Sequence, residues 1–187
     1  MNTYQVICLV GFSLCFVSFT WAIQQFFTSN GKQKGMQAIK YFGALFSVAH
    51  FLTLIFAYAP WPPLIPIAIL LYVLSLLIFW WAINVNQTQP LSLAYSLDKP
   101  THLVKTGPYN WVRHPFYTSY LCFWMAGTVA SGQWLLLFSV VVMFYLYFTA
   151  AKFEEHKFIS SDLKEQYQTY QNQTGMFLPF KGRYHNN

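Results

Sequence analysis

The sequence predicts an all-α fold, an integral membrane helical bundle of five transmembrane helices with a cytosolic C-terminal amphipathic helix, and three observations carry that prediction. Hydrophobic residues make up 56% of the 187 and aromatics 21%, while charged residues reach only 9%, against roughly 25% in soluble domains. So few charges could not cover the surface of a soluble fold. Five apolar runs approach the length, about 20 residues at about 1.5 Å each, that crosses about 30 Å of hydrocarbon. Charge falls at the edge of a run, on alternate connections between runs, and after the last run.

The first run, Tyr4 to Phe27, follows a start, MNTYQ, with no Lys or Arg, and ends without a small-residue cleavage site. It is expected to be a retained helix and not a cleaved signal peptide. Cys8 and Cys15 lie seven residues apart on it, on one helix face. With Cys122 they have neither a disulfide framework nor metal-ligand spacing, and buried packing is their expected role. The second run, Ile39 to Ala59, contains His50, read as a hydrogen-bonded core group and, as an ionisable residue inside a span, a minor site candidate. The third, Pro63 to Ile83, carries Pro66 in its first turn, where the missing N–H costs little. The fourth, Pro115 to Ser131, is the shortest, and the fifth runs from Gln133 to Ala151. Together they form a single unit: three spans in residues 1–83, a cytosolic loop 84–114, a helical hairpin 115–151 and a cytosolic tail 152–187.

The stretch from Thr28 to Lys40 holds Lys32, Lys34 and Lys40, and that from Asn84 to His114 holds Asp98, Lys99, Lys105 and Arg113. All remaining charges lie from Lys152 onward, and the N-terminus and the two other turns hold none. The positive-inside rule then places the N-terminus outside and the C-terminus in the cytoplasm. The net charge of +6 follows from this sorting. Nucleic-acid binding would need basic residues interleaved with polar ones on a face, and no nucleic-acid partner is expected.

The segment KTGPYNWVRHPFYTSYL carries the most chemistry. Gly107-Pro108 marks a turn, and Pro115 suits a first helical position, which puts His114 at or near the N-cap of the fourth helix. A helix start favours an anion, and Arg113 adds a fixed cation beside it. Tyr109 and Tyr117 flank the same point and could wall a pocket. The competing reading is that Arg and aromatic residues here are interface anchors.

Glu154-Glu155-His156 follows the fifth run. If the helix continues, Glu155, Ile159, Leu163 and Tyr167 recur every four residues on one stripe, and Glu155 faces the protein. There it either pairs with Arg113 or another cation, or binds a ligand, because an unpaired charge in an apolar setting is costly. The alternative is a surface acid paired with Lys152 or Lys157. The chain has no GxGxxG, GxxxxGK, HExxH or CxxC, and its histidines, His50, His102, His114, His156 and His185, are scattered. A soluble dinucleotide fold, a P-loop and zinc hydrolysis have no support, and no metal is expected.

The order GPYxxxRHPxY, one helical hairpin, an acidic pair, and a tail with Tyr167, Tyr170 and TGMFLP resembles the isoprenylcysteine carboxyl methyltransferase family, related to membrane phospholipid methyltransferases. The resemblance covers the chain from Gly107 onward; the first three spans match only in kind. It implies an enzyme using S-adenosylmethionine, bound between the last two helices and the tail. By that resemblance Gly107, Tyr109, His114, Pro115, Tyr117, Glu154 and Glu155 hold the cofactor, and Arg113 and Glu155 are catalytic. The implied partners are membrane lipids and a lipophilic acceptor, foremost a carboxylate such as isoprenylcysteine, with a phospholipid amine or small thiol as alternatives. Two departures leave the acceptor open. Where relatives acting on prenylated cysteine present an Arg just ahead of the acidic pair, this chain has Lys152 after Ala150 and Ala151, and Thr118-Ser119 stands where relatives often have a Gly. A non-enzymatic transporter or assembly protein is the alternative of another class; against it, the spans carry no charge at mid-depth apart from His50.

Overall fold

A computed structural model describes residues 1–25, 27–28, 34–87, 91–92 and 100–179. Lys32, Asp98, Lys99 and His185, which entered the charge and histidine arguments above, lie outside the described residues.

The described chain is almost wholly helical. It runs through α1 (Thr3–Gln25), β1 (Phe27–Thr28), α2 (Lys34–Phe56), α3 (Ile65–Val85), β2 (Leu91–Ser92), α4 (Pro115–Ser131), α5 (Leu137–Ile159) and α6 (Lys164–Gln173). Short 3-10 turns at Pro62–Leu64, Gly107–Asn110 and Trp134–Leu136 lead into α3, α4 and α5. The two-residue strands, not expected from the sequence, pair in parallel with Phe27 opposite Leu91 and Thr28 opposite Ser92.

Four helical segments, Thr3–Gln25, Lys34–Phe56, Pro62–Val85 and Trp134–Ile159, are long and apolar enough to cross a membrane. The protein is a multi-pass membrane protein on that ground. The fourth expected span, α4, has its predicted bounds, but its 17 residues reach only about 26 Å. It is also the most enclosed helix. Of those residues 11 are buried, because α4 packs along α3 and also touches α1, α2 and α5. Small residues permit this closeness. Ser75 Oγ donates to the Ser119 carbonyl at 2.9 Å and Ser119 Oγ returns a bond of 2.9 Å to the Ser75 carbonyl. At Gly127 a Cβ would lie 2.4 Å from His50 Nδ1. His50 itself is fully buried and bonded through Nε2 to Ser139 Oγ at 2.8 Å, as the core-group reading required. Cys8 and Cys15 are likewise buried.

Two boundaries differ from expectation by five residues or more, and for one reason. α2 begins at Lys34, five residues ahead of the apolar run, and α5 continues past Ala151 to Ile159. Hydropathy marks what enters hydrocarbon, whereas backbone hydrogen bonding continues through Lys, Gln, Met, Ala and Glu, which are good helix formers. The expected unbroken stripe from Glu155 to Tyr167 is corrected: the helix stops at Ser160. Ser161 Oγ donates to the Phe158 carbonyl at 2.8 Å and accepts from the Leu163 N–H at 3.2 Å, a local alternative to helix bonds that serine favours. After that turn α6 folds back, and Tyr167 stacks on Phe158 with ring centres 4.8 Å apart. The face of α6 carrying Tyr167 and Tyr170 is buried and the rest is polar, which makes it the amphipathic tail helix.

The hairpin topology brings the ends of α1, α3 and α5 and the starts of α2 and α4 to one end of the bundle, with α6. Every described Lys, Arg, Asp and Glu lies there.

Candidate functional site

His114 is the N-cap of α4, with proline in the first turn, as its place before Pro115 predicts. The chain then returns beside it. Residues after α6 run parallel to 112–114, pairing Val112 with Gly175. The Arg113 N–H donates to the Gly175 carbonyl at 2.8 Å and the His114 N–H to the Met176 carbonyl at 3.1 Å. Thr118 Oγ1 donates to the Phe177 carbonyl at 2.9 Å. The Phe177 ring packs on His114, Tyr117 and Phe144. The tail thus occupies these backbone donors.

Arg113 is held from three directions. Its Nε donates to Glu155 Oε1 at 2.8 Å, and its Nη1 donates to the carbonyls of Gln171, at 3.3 Å, and Thr174. Glu155, at 2% exposure, also accepts from Gln171 Nε2 at 3.1 Å. Lys152 stands 3.9 Å from its other side. Of the alternatives for Glu155, the structure shows the pair with Arg113, with Lys152 joining from the surface.

His114 lies between both glutamates, with Nδ1 3.4 Å from Glu154 Oε2 and Nε2 3.3 Å from Glu155 Oε1. Carboxylates only accept, so the charged imidazole, with a donor on each ring nitrogen, is the form that satisfies both. Burial opposes that charge, but bonds to Glu154 and Glu155 and their negative field outweigh it, and the His114 pKa is raised. A raised histidine pKa contributes stability that is complete below the unfolded value of about 6.5 and is lost as pH rises through the folded value. Thermal unfolding in detergent is therefore expected to fall in temperature as pH climbs from 6.5 through the raised value, with that slope removed in His114→Gln. A flat wild-type profile from pH 5.5 to 9 would remove the charged His114.

Tyr117 OH donates to Glu154 Oε1 at 2.5 Å, and its ring stacks on Tyr147 with centres 5.2 Å apart. Tyr109 is fixed by two neighbours: Asn86 Nδ2 donates to its hydroxyl at 3.0 Å, and Tyr170 OH donates to its carbonyl at 2.7 Å.

A cavity of about 430 Å3 opens between α1, α2, α4 and α5. Tyr109, Arg113, His114, Pro115, Tyr117 and Glu154 line it, as do Tyr120 and Tyr147. Glu155 and Gly107 do not line it. Glu155 lies behind Arg113. Gly107 has φ +61, and a Cβ there would meet Val85 Cγ2 at 2.5 Å, so its glycine answers to a turn packed on α3. The structure adds residues that the sequence did not single out. From α1 and α2 come Phe16, Phe19, Thr20, Gln24, Lys40, Gly43, Ala44 and Ser47. In sequence these read as span residues and an interfacial lysine, and no motif separates a cavity-facing position from a lipid-facing one.

A family model described as phospholipid methyltransferase matches residues 64–166. The protein-S-isoprenylcysteine O-methyltransferase of Saccharomyces cerevisiae is 35% identical over 84 residues, a match covering 42% of this chain and 33% of that protein. The match thus spans about a third of that relative's length. No solved structure matches.

Proposed function

The chain belongs to the phospholipid methyltransferase family, and from that premise we propose that it moves a methyl group from S-adenosylmethionine to the carboxylate of a lipophilic acceptor drawn from the membrane. The proposal includes α4 as a fifth, protein-enclosed crossing, with the charged end of the bundle in the cytoplasm. One observation carries it. The cavity joins a charged mouth, with Glu154, His114 and Lys40, to an aromatic and aliphatic interior between α1 and α2. A polar cofactor entering from water and an apolar acceptor entering from lipid can meet only in such a space.

The lining suits the cofactor. Glu154, with its side chain 28% exposed at the mouth, offers a carboxylate to an ammonium or to ribose hydroxyls. The rings of Tyr117, Tyr120 and Tyr147 line the cavity, and their π-density suits a cationic sulfur. When bound, S-adenosylmethionine supplies a methyl on positively charged sulfur, and its transfer to a carboxylate oxygen breaks the carbon–sulfur bond, leaving a thioether and an ester with no proton to move.

The absence of a proton step matters because no base stands free among the described residues of the site. His114 lies between two glutamates that raise its pKa, and Glu154 accepts from Tyr117 and faces His114. An amine acceptor, protonated at neutral pH, would need one. What the chain's residues contribute is placement and exclusion of water. Arg113 and Glu155 hold the tail against His114 and Tyr117, behind the cavity wall, and a wall that keeps two reactants in register can remove up to about 7–11 kcal/mol of barrier.

Purified protein in detergent is expected to bind S-adenosylhomocysteine by calorimetry, and membranes given methyl-labelled cofactor to accumulate base-labile ester. Label in a lipid amine would move the acceptor to phospholipid. Failure to bind S-adenosylhomocysteine would end the methyltransferase reading.

A further inference from the structure

Three cationic side chains line the cavity: Arg113, His114 and Lys40. Two of them are neutralised. Arg113 bonds to Glu155, and His114 lies between Glu155 and Glu154. Two cations and two anions balance there, within a few ångströms. Lys40, near the N-terminal end of α2, has no ion pair or hydrogen bond among the described residues and is exposed. It is the excess charge of the mouth. Gly43, Ala44 and Ser47 also line the cavity and lie one to two turns along α2 from it. Their small side chains leave room for a chain directly below the ammonium. Lys40 lies outside the segment 64–166 that matches the family.

We propose that Lys40 is the specificity residue that reads the anionic head of the acceptor, while its hydrocarbon chain lies against Gly43, Ala44 and Phe19 between α1 and α2. This rests on the proposed function and names the acceptor class more closely: a single-chain amphiphile with a carboxylate. Arg113, the evident candidate for that role, is already bonded to Glu155 and two tail carbonyls. Turning it toward a ligand would leave a buried carboxylate behind. The same assignment explains product release. Methylation converts the carboxylate into a neutral ester, which forfeits its attraction to Lys40 while the hydrocarbon contacts are unchanged.

The test is competition binding, which needs no turnover. Tritiated S-farnesyl-N-acetylcysteine is bound to the full chain in nanodiscs and displaced by the unlabelled acid, by its methyl ester, or by phosphatidylethanolamine. The acid is expected to compete about tenfold better than the ester in the wild type, the scale of one charge-assisted hydrogen bond. Lys40→Gln is expected to bring the two within about twofold, and Lys40→Arg to retain the preference. Affinity for S-adenosylhomocysteine is expected to be the same in all three proteins. An unchanged acid preference in Lys40→Gln overturns the assignment, as does no preference in the wild type. Phosphatidylethanolamine displacing the label better than the acid also overturns it, because the anion read would be a phosphate. These outcomes separate from those of the parent reading: a chain that binds no S-adenosylhomocysteine but shows the Lys40-dependent preference loses the methyltransferase function and keeps the anion site.

Discussion

Glu155→Ala is expected to destabilise the protein by about 3–5 kcal/mol, the cost of leaving buried cations without their counter-charge. The substitution removes the partner of Arg113 Nε, one of two carboxylates facing His114, and the acceptor for Gln171. The strap of residues 174–177 hangs on the same arginine, so its release should accompany the loss. The readouts are the unfolding temperature in detergent and the rate of proteolysis between α5 and Pro179, both compared with Arg113→Ala and the double variant. Because the two side chains act as one unit, the double variant should lose clearly less than the two single losses combined. If Glu155→Ala melts like the wild type and only its cofactor affinity falls, Glu155 is a ligand and not a strut. That outcome would support the expected role of Glu155 in holding the cofactor.

Glu154→Gln should act differently, mainly on binding and less on the fold. Glu154 lines the cavity and is partly exposed, and the amide can still accept from Tyr117 OH. The charge is removed, and with it the oxygen that faces His114 Nδ1. A hydrogen bond to a charged group contributes about 1.5–3 kcal/mol, so affinity for S-adenosylhomocysteine should fall by about tenfold to a hundredfold. The unfolding temperature should fall far less than in Glu155→Ala, because Arg113 keeps its partner and His114 keeps Glu155. Unaltered affinity by calorimetry would mean that the cofactor's polar groups lie elsewhere in the mouth, and Tyr109 and Gln24 would be the next residues to vary.

The pair of substitutions shows how adjacent positions on α5, alike in sequence, come to do different work. A helix turns by about 100° per residue. Position 155 is thereby turned onto Arg113 and the tail, and position 154 toward the cavity. The sequence placed an acidic pair after an apolar run and left open whether either acid held a ligand. Nothing local could decide it, because the partner of Glu155 is 42 residues away. Its choice depends on α4 and α5 lying side by side and on α6 folding back after Ser160.

The helix starts and spans were more legible. Hydrocarbon accepts only segments whose every side chain is cheap to desolvate and whose backbone bonds internally. The apolar runs therefore announce α1, α2, α3 and α5, each from its own residues. The cap at His114-Pro115 was equally plain, since proline fits a first helical turn and little else inside a helix. Lys40 marks the limit of that kind of reasoning. Near the charged end of an apolar run, a lysine is an interface anchor by every local rule, and only the packing of α1, α2, α4 and α5 around a common space turns it toward a cavity.

The sequence by itself determined that this chain is a helical membrane protein, that its charges gather at one end, and which short segments carry chemistry. Each of those is set by the transfer energy or backbone geometry of neighbouring residues. The tertiary structure decided that α4 is enclosed by the other helices. It also decided that Arg113 and Glu155 bind each other and the tail, while His114, Tyr117, Glu154 and Lys40 surround a cavity. These outcomes depend on side chains from distant segments competing for the same few partners, a competition that exists only once the helices have packed.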